Sequence, residues 1–117
     1  MTISMSDTLN QMKDFLFIRT GHIVEKINID QILYIKSDGN YCTIFSKDKK
    51  FVLKKSLVKI IEHFPKDLFF RVHMKCIVAL NKIEKIDLSE NRLIISGNEI
   101  AIGPKYRSGL IKELKPI

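Results

Sequence analysis

The sequence predicts a mostly β domain built of antiparallel hairpins, with one or two flanking α-helices. Three observations carry that reading. Short runs of β-branched and aromatic residues are separated by turn signals spaced roughly 8–12 residues apart, the spacing of hairpin-rich domains. Two segments, and no more, switch to helical spacing. The chain has 117 residues, 45% apolar and 28% charged, which is the size and balance of a single globular domain.

The elements follow in order. Phe15–Arg19 is apolar and β-prone, and Thr20-Gly21-His22 is a turn. Residues 23–29 place Ile23, Glu25, Ile27 and Ile29 on one strand face. Residues 31–36 are rich in Ile, Leu and Tyr, and Ser37-Asp38-Gly39-Asn40 is a strong turn, because Gly39 and Asn40 tolerate positive φ. Tyr41–Phe45 resumes the strand, Ser46–Lys50 turns, and Phe51–Lys54 returns. Later strands are expected at residues 82–88, 92–96 and 99–102, with turns at Ser89-Glu90-Asn91 and Gly97-Asn98.

Leu57, Ile60, Ile61 and Phe64 stand at i, i+3, i+4 and i+7, one face of a helix. Ser56 is its N-cap and Pro65 its stop. A second helix spans Pro104–Leu114: Pro104 suits the first turn, and Tyr106, Leu110, Ile111 and Leu114 share a face. Residues 1–14 carry no periodicity and read as a linker or N-terminal tail, leaving 15–117 as the domain.

The net charge is +7. Its placement says more than its size. Residues 36–75 hold ten basic and four acidic residues, while residues 1–35 are nearly balanced. Clustered positive charge attracts polyanions, although a solvated lysine face gives the same composition. No run reaches the roughly 20 apolar residues of a membrane span, and no signal segment opens the chain; a cytoplasmic location is expected.

No nucleophile elbow, phosphate-binding P-loop or zinc-helix motif is present, so neither an enzyme nor a cofactor is expected. Cys42 and Cys76 lie far apart without a C-x-x-C pair, and His22, His63 and His73 do not complete a zinc set. Both cysteines read as buried free thiols.

The most specific stretch is Phe69-Phe70-Arg71-Val72-His73-Met74-Lys75-Cys76-Ile77-Val78-Ala79-Leu80-Asn81-Lys82-Ile83, in which an Arg-x-His pair leads into an apolar run. Three further blocks agree in order: Ile32-Leu33-Tyr34-Ile35 with the turn through Tyr41, Lys54-Lys55-Ser56-Leu57 before a helix, and Ile100-Ala101-Ile102-Gly103-Pro104-Lys105-Tyr106-Arg107. Together they resemble the LytTR family, the DNA-binding output domain of many bacterial response regulators. The resemblance covers most of the chain, from Phe15 to Leu114.

That resemblance implies an elongated stack of small antiparallel sheets that reads double-stranded DNA through loops in successive major grooves. By position, the first reading loop would hold Asn40 and Tyr41, the second His73, Met74 and Lys75, and the third Lys105 to Arg107. Phosphate contacts would fall to Lys54, Lys55 and Arg71. The chain departs from the pattern at Met74, Lys75, Cys76, Ala79 and Gly103. Met74 offers no hydrogen bond to a base but suits a thymine methyl.

The partner implied is duplex DNA, as paired direct repeats bound by a dimer, with the isolated domain monomeric. Two other classes stay open: an RNA or single-strand module stacking bases on exposed aromatics, and a protein-interaction domain whose lysines serve solubility.

Overall fold

The computed structural model describes residues 14–117. Ten strands form three small antiparallel sheets. A hairpin pairs β1 (Phe15–Thr20) with β2 (Ile23–Asn28). The central sheet has five strands: β3 (Ile32–Asp38), β4 (Tyr41–Ser46), β5 (Lys50–Leu53), β6 (Phe69–His73) and β7 (Cys76–Ala79), in the order β5-β4-β3-β7-β6. The third sheet joins β8 (Lys85–Asp87), β9 (Arg92–Ile95) and β10 (Asn98–Ala101). Among the described residues two α-helices accompany them, α1 (Leu57–Ile61) and α2 (Pro104–Leu114).

The central sheet is covered on both faces because its strands alternate between two cores. On β7, Ile77 and Ala79 join the first core, and Cys76 and Val78 the second. The first core is closed by Ile18 and Ile27 of the hairpin and by Leu57 and Ile60 of α1. The second is closed by Leu93, Ile95 and Ile100 of the third sheet and by Leu110 of α2. A register shift between Ile32 and Tyr34 accompanies an exception, since the consecutive residues Leu33 and Tyr34 both enter the second core. No polar or charged residue is buried among the described residues, so the fold rests on apolar burial at roughly 25 cal/mol per Å².

Helix α2 matches its expected bounds, with Pro104 in its first turn. Its inner face is the expected one: Leu110 is fully buried, and Tyr106, Ile111 and Leu114 are half-buried. It also approaches β6 closely. A Cβ on Gly109 would lie 3.2 Å from the Phe70 ring. Helix α1 is shorter than its apolar stripe, with Phe64 reaching the first core from the turn after it.

Other boundaries move. The stretch expected as a strand from residue 82 opens instead in a 3-10 turn, Leu80–Lys82, and pairs only over β8. The last hairpin turns at Ser96-Gly97, both at positive φ, with Asn98 already in β10. In the Gly39-Asn40 turn Gly39 alone takes positive φ, at 62°. Ile23 is exposed beyond the core, at the hairpin tip. Of the tail expected at residues 1–14, all but Asp14 lies outside the described residues.

Candidate nucleic-acid interface

The three segments expected to read DNA meet at one end of the central sheet. The first is the two-residue turn closing β3 and β4, where Asp38 pairs with Tyr41. Asn40 sits on that turn and Tyr41 is exposed at the start of β4. The second is the turn Met74-Lys75 between β6 and β7, closed by the His73–Cys76 pair. The Ser37 amide donates to the Lys75 carbonyl at 2.8 Å, tying these two turns together. The third is the start of α2. Gly103 donates from its amide to the Val72 carbonyl at 2.8 Å, which brings the helix N-terminus against the second turn.

Two grooves separate the segments. A groove of 660 Å³ collects Asn40, Lys54, Lys55, Arg71 and Met74, with Lys59 and Ser56 from the start of α1. Ser56 caps that helix by accepting from the Lys59 amide at 3.3 Å. This fixes where the chain turns after Lys54 and Lys55, which are exposed. A second, smaller groove collects His73 and Lys75 with Lys36 and, from β10, the carboxylate Glu99. Ser37 and Lys36 are neighbours on β3, so alternation sends one to each groove.

The cations here are unneutralised by carboxylates. Among the described residues the ion pairs are Lys49–Glu25 and Arg92–Glu99. Lys36, Lys54, Lys55, Arg71, Lys75, Lys105 and Arg107 belong to neither, so their charge faces solvent or polar partners. The charges lining the larger groove are all positive, which raises the local concentration of an anionic ligand; in the smaller groove Glu99 is engaged by Arg92.

Each expected contact residue has a defined setting. Met74 is 60% exposed at the tip of its turn. The His73 ring is half-buried, and its Nδ1 accepts from the Lys75 amide at 3.1 Å. Arg71 is also half-buried: Nε donates to the His73 carbonyl at 3.4 Å and Nη2 to the Met74 carbonyl. Lys105 is exposed, with Nζ 5.3 Å from the centre of the Tyr106 ring. Arg107 donates to the Asn91 side-chain oxygen at 3.2 Å.

Sequence reasoning missed Lys36 and Asn91. Lys36 was legible as the outward residue beside the Ser37-Asp38-Gly39-Asn40 turn. Asn91 carried no signal beyond its turn, and its link to Arg107 spans 16 positions.

The cysteines lie beneath this surface, Cys42 at the floor of the larger groove and Cys76 at that of the smaller. Cys42 belongs to the first core and Cys76 to the second, on opposite faces of the central sheet. They are free thiols. Burial pushes the Cys42 thiol up, and burial pushes Cys76 up to about 12 against the opposing pull of Lys36.

With this geometry in view, the family comparison is decisive. The model of the LytTr DNA-binding domain matches residues 22–115. The chain belongs to this family. The LytTr match covers both turns, the start of α2 and the two helices of the described residues. Among solved structures, it is similar to the LytTr DNA-binding domain of a Bacillus cereus protein described as a methyl-accepting/DNA response regulator. That likeness has a TM-score of 0.74 at 22% identity, over 86% of this chain and 96% of the other, and it establishes a shared fold. A search of curated proteins returned no match. LytTr is a family of DNA-binding domains, not a catalytic one, and no helix among the described residues is long and apolar enough to cross a membrane.

Proposed function

We propose that this LytTr domain binds double-stranded DNA sequence-specifically, as the output domain of a bacterial two-component response regulator in the cytoplasm. One observation carries the reading. Two turns and a helix start from distant parts of the chain converge beside two grooves whose lysines and arginine form no carboxylate ion pair among the described residues. Lys54 and Lys55 neutralise phosphates and supply affinity without sequence information. Asn40, Tyr41, His73, Lys75, Lys105 and Arg107 face base edges, and Met74 offers an apolar contact to a thymine methyl. The start of α2 favours an adjacent phosphate as well.

The domain is monomeric alone and pairs on direct repeats, since two copies on one duplex gain from proximity. A single-strand module stacking several bases finds little support. Of ten aromatic residues only Phe17 and Tyr41 are exposed, one on the hairpin and one at the reading end.

Selection of bound duplexes from a random library tests the proposal. Recovery of one repeated motif bound by the purified chain is the expected result. Recovery of unrelated sequences, or preferential capture of single strands, overturns it.

A further inference from the structure

We infer that Arg71 acts in DNA recognition as a positioning residue, its guanidinium setting the shape of the Met74-Lys75 turn instead of meeting a phosphate. The inference rests on the DNA-binding reading of that turn.

A two-residue hairpin turn ordinarily needs positive φ at one or both central residues, which glycine or asparagine supply. The Gly39 and Ser96-Gly97 turns of this chain obey that rule. Met74 and Lys75 do not: neither has positive φ. The strand ahead of them is also irregular, with a register shift between Arg71 and His73. Such a bulge re-aims the side chains beside it. This turn is therefore not held by its own backbone preferences, and something else must brace it.

The bracing is visible. Arg71 donates to two consecutive turn carbonyls, those of His73 and Met74. The His73 ring accepts the Lys75 amide, and the Ser37 amide reaches the Lys75 carbonyl. These bonds turn the carbonyls of residues 73–75 towards the protein, leaving the Met74 and Lys75 side chains exposed. Arg71 suits the task because guanidinium is a planar fork with five donors, able to meet two acceptors at once. Lysine carries the same charge at a single point and cannot reproduce the fork. A turn ordered before binding loses less entropy on binding.

The two roles separate experimentally in the full chain. A phosphate contact tolerates Arg71→Lys, whereas Arg71→Gln weakens specific and non-specific duplex binding alike and lowers the salt slope by roughly one. Positioning predicts another pattern: Arg71→Lys lowers the ratio of specific to non-specific affinity roughly tenfold with the salt slope unchanged. Amide resonances of residues 73–75 shift while those of the two cores stay. In the wild-type chain the Arg71 Nε–H signal is resolved and slow to exchange.

A freely exchanging Arg71 guanidinium overturns the inference however the variants fold. So does an Arg71→Lys chain with wild-type selectivity. If the wild-type chain binds no duplex even at low salt, the DNA-binding reading fails by itself. Unmoved turn resonances in Arg71→Lys would then still refute the positioning role.

Discussion

Gly103 and His73 are packed backbone to backbone, so that a Cβ added to Gly103 would stand 3.6 Å from the His73 Cα and 3.0 Å from the Tyr106 ring. This contact joins the second reading turn to the start of α2. Gly103 has φ of −68°, so glycine is present for space and not for backbone freedom. Gly103→Val should cost roughly 1–3 kcal/mol by overpacking. It should also weaken duplex binding beyond that of a control destabilised equally elsewhere. Thermal melting paired with a binding titration checks this, and wild-type affinity in the folded variant would contradict it.

Arg107 is held by Asn91, which itself sits at positive φ (52°) and accepts the Ile102 amide on its carbonyl. Asn91→Gly keeps that backbone accessible while deleting the tether. It should leave the melting temperature nearly unchanged and reduce specific affinity, because Arg107 must then be ordered on binding. Lys105→Ala and Arg107→Ala should each cost about 1–3 kcal/mol of specific binding. Equal binding by all three variants would remove the third segment from the interface.

Met74 is the chain's own choice at the tip of the second turn. Met74→Asn should shift the preferred base from thymine towards adenine at one position of the site, since asparagine pairs with an adenine edge. Repeating the selection with the variant reads this directly. An unchanged motif would place Met74 outside the bases.

The buried thiols predict a pH dependence. The Cys76 thiol is held neutral by burial, its value raised from 9.0 to about 12. The native state therefore keeps a proton that the unfolded chain loses first, and this contribution is fully present below pH 9. Stability should fall as pH rises from about 9 towards 12, and less steeply in Cys76→Ala once its lower baseline is subtracted. Denaturant midpoints across that range measure it. Neither cysteine should react with a thiol reagent in the folded protein, because both are buried.

Much of the fold was legible because local chemistry decides it. Gly21 and Gly39 mark hairpin turns, Ser56 and Pro104 mark helix starts, and the 3.6 spacing of Leu110 and its neighbours gives the inner face of α2. Boundaries slipped where two chemistries compete. Gly97-Asn98 looks like a turn, yet Asn98 pairs with Ile95 because Ser96 accepts the positive φ.

Long-range placement was not legible. That β7 lies between β3 and β6, that Cys42 and Cys76 face opposite cores, and that the second and third segments touch all depend on pairings far apart in sequence. The candidate site shows the same division. The exposed cations of the reading segments stood out as residue types, but the Arg71 fork and the Asn91 tether are geometric facts that periodicity does not encode.

The salt dependence of binding to the selected duplex tests the central claim most directly. If the grooves neutralise about four phosphates, affinity should fall roughly a hundredfold between about 50 and 200 mM salt. Lys54→Ala and Lys55→Ala should each lower the logarithmic slope by about one while weakening specific and non-specific binding alike. A flat salt profile, or a slope that neither lysine changes, would contradict duplex binding through these grooves.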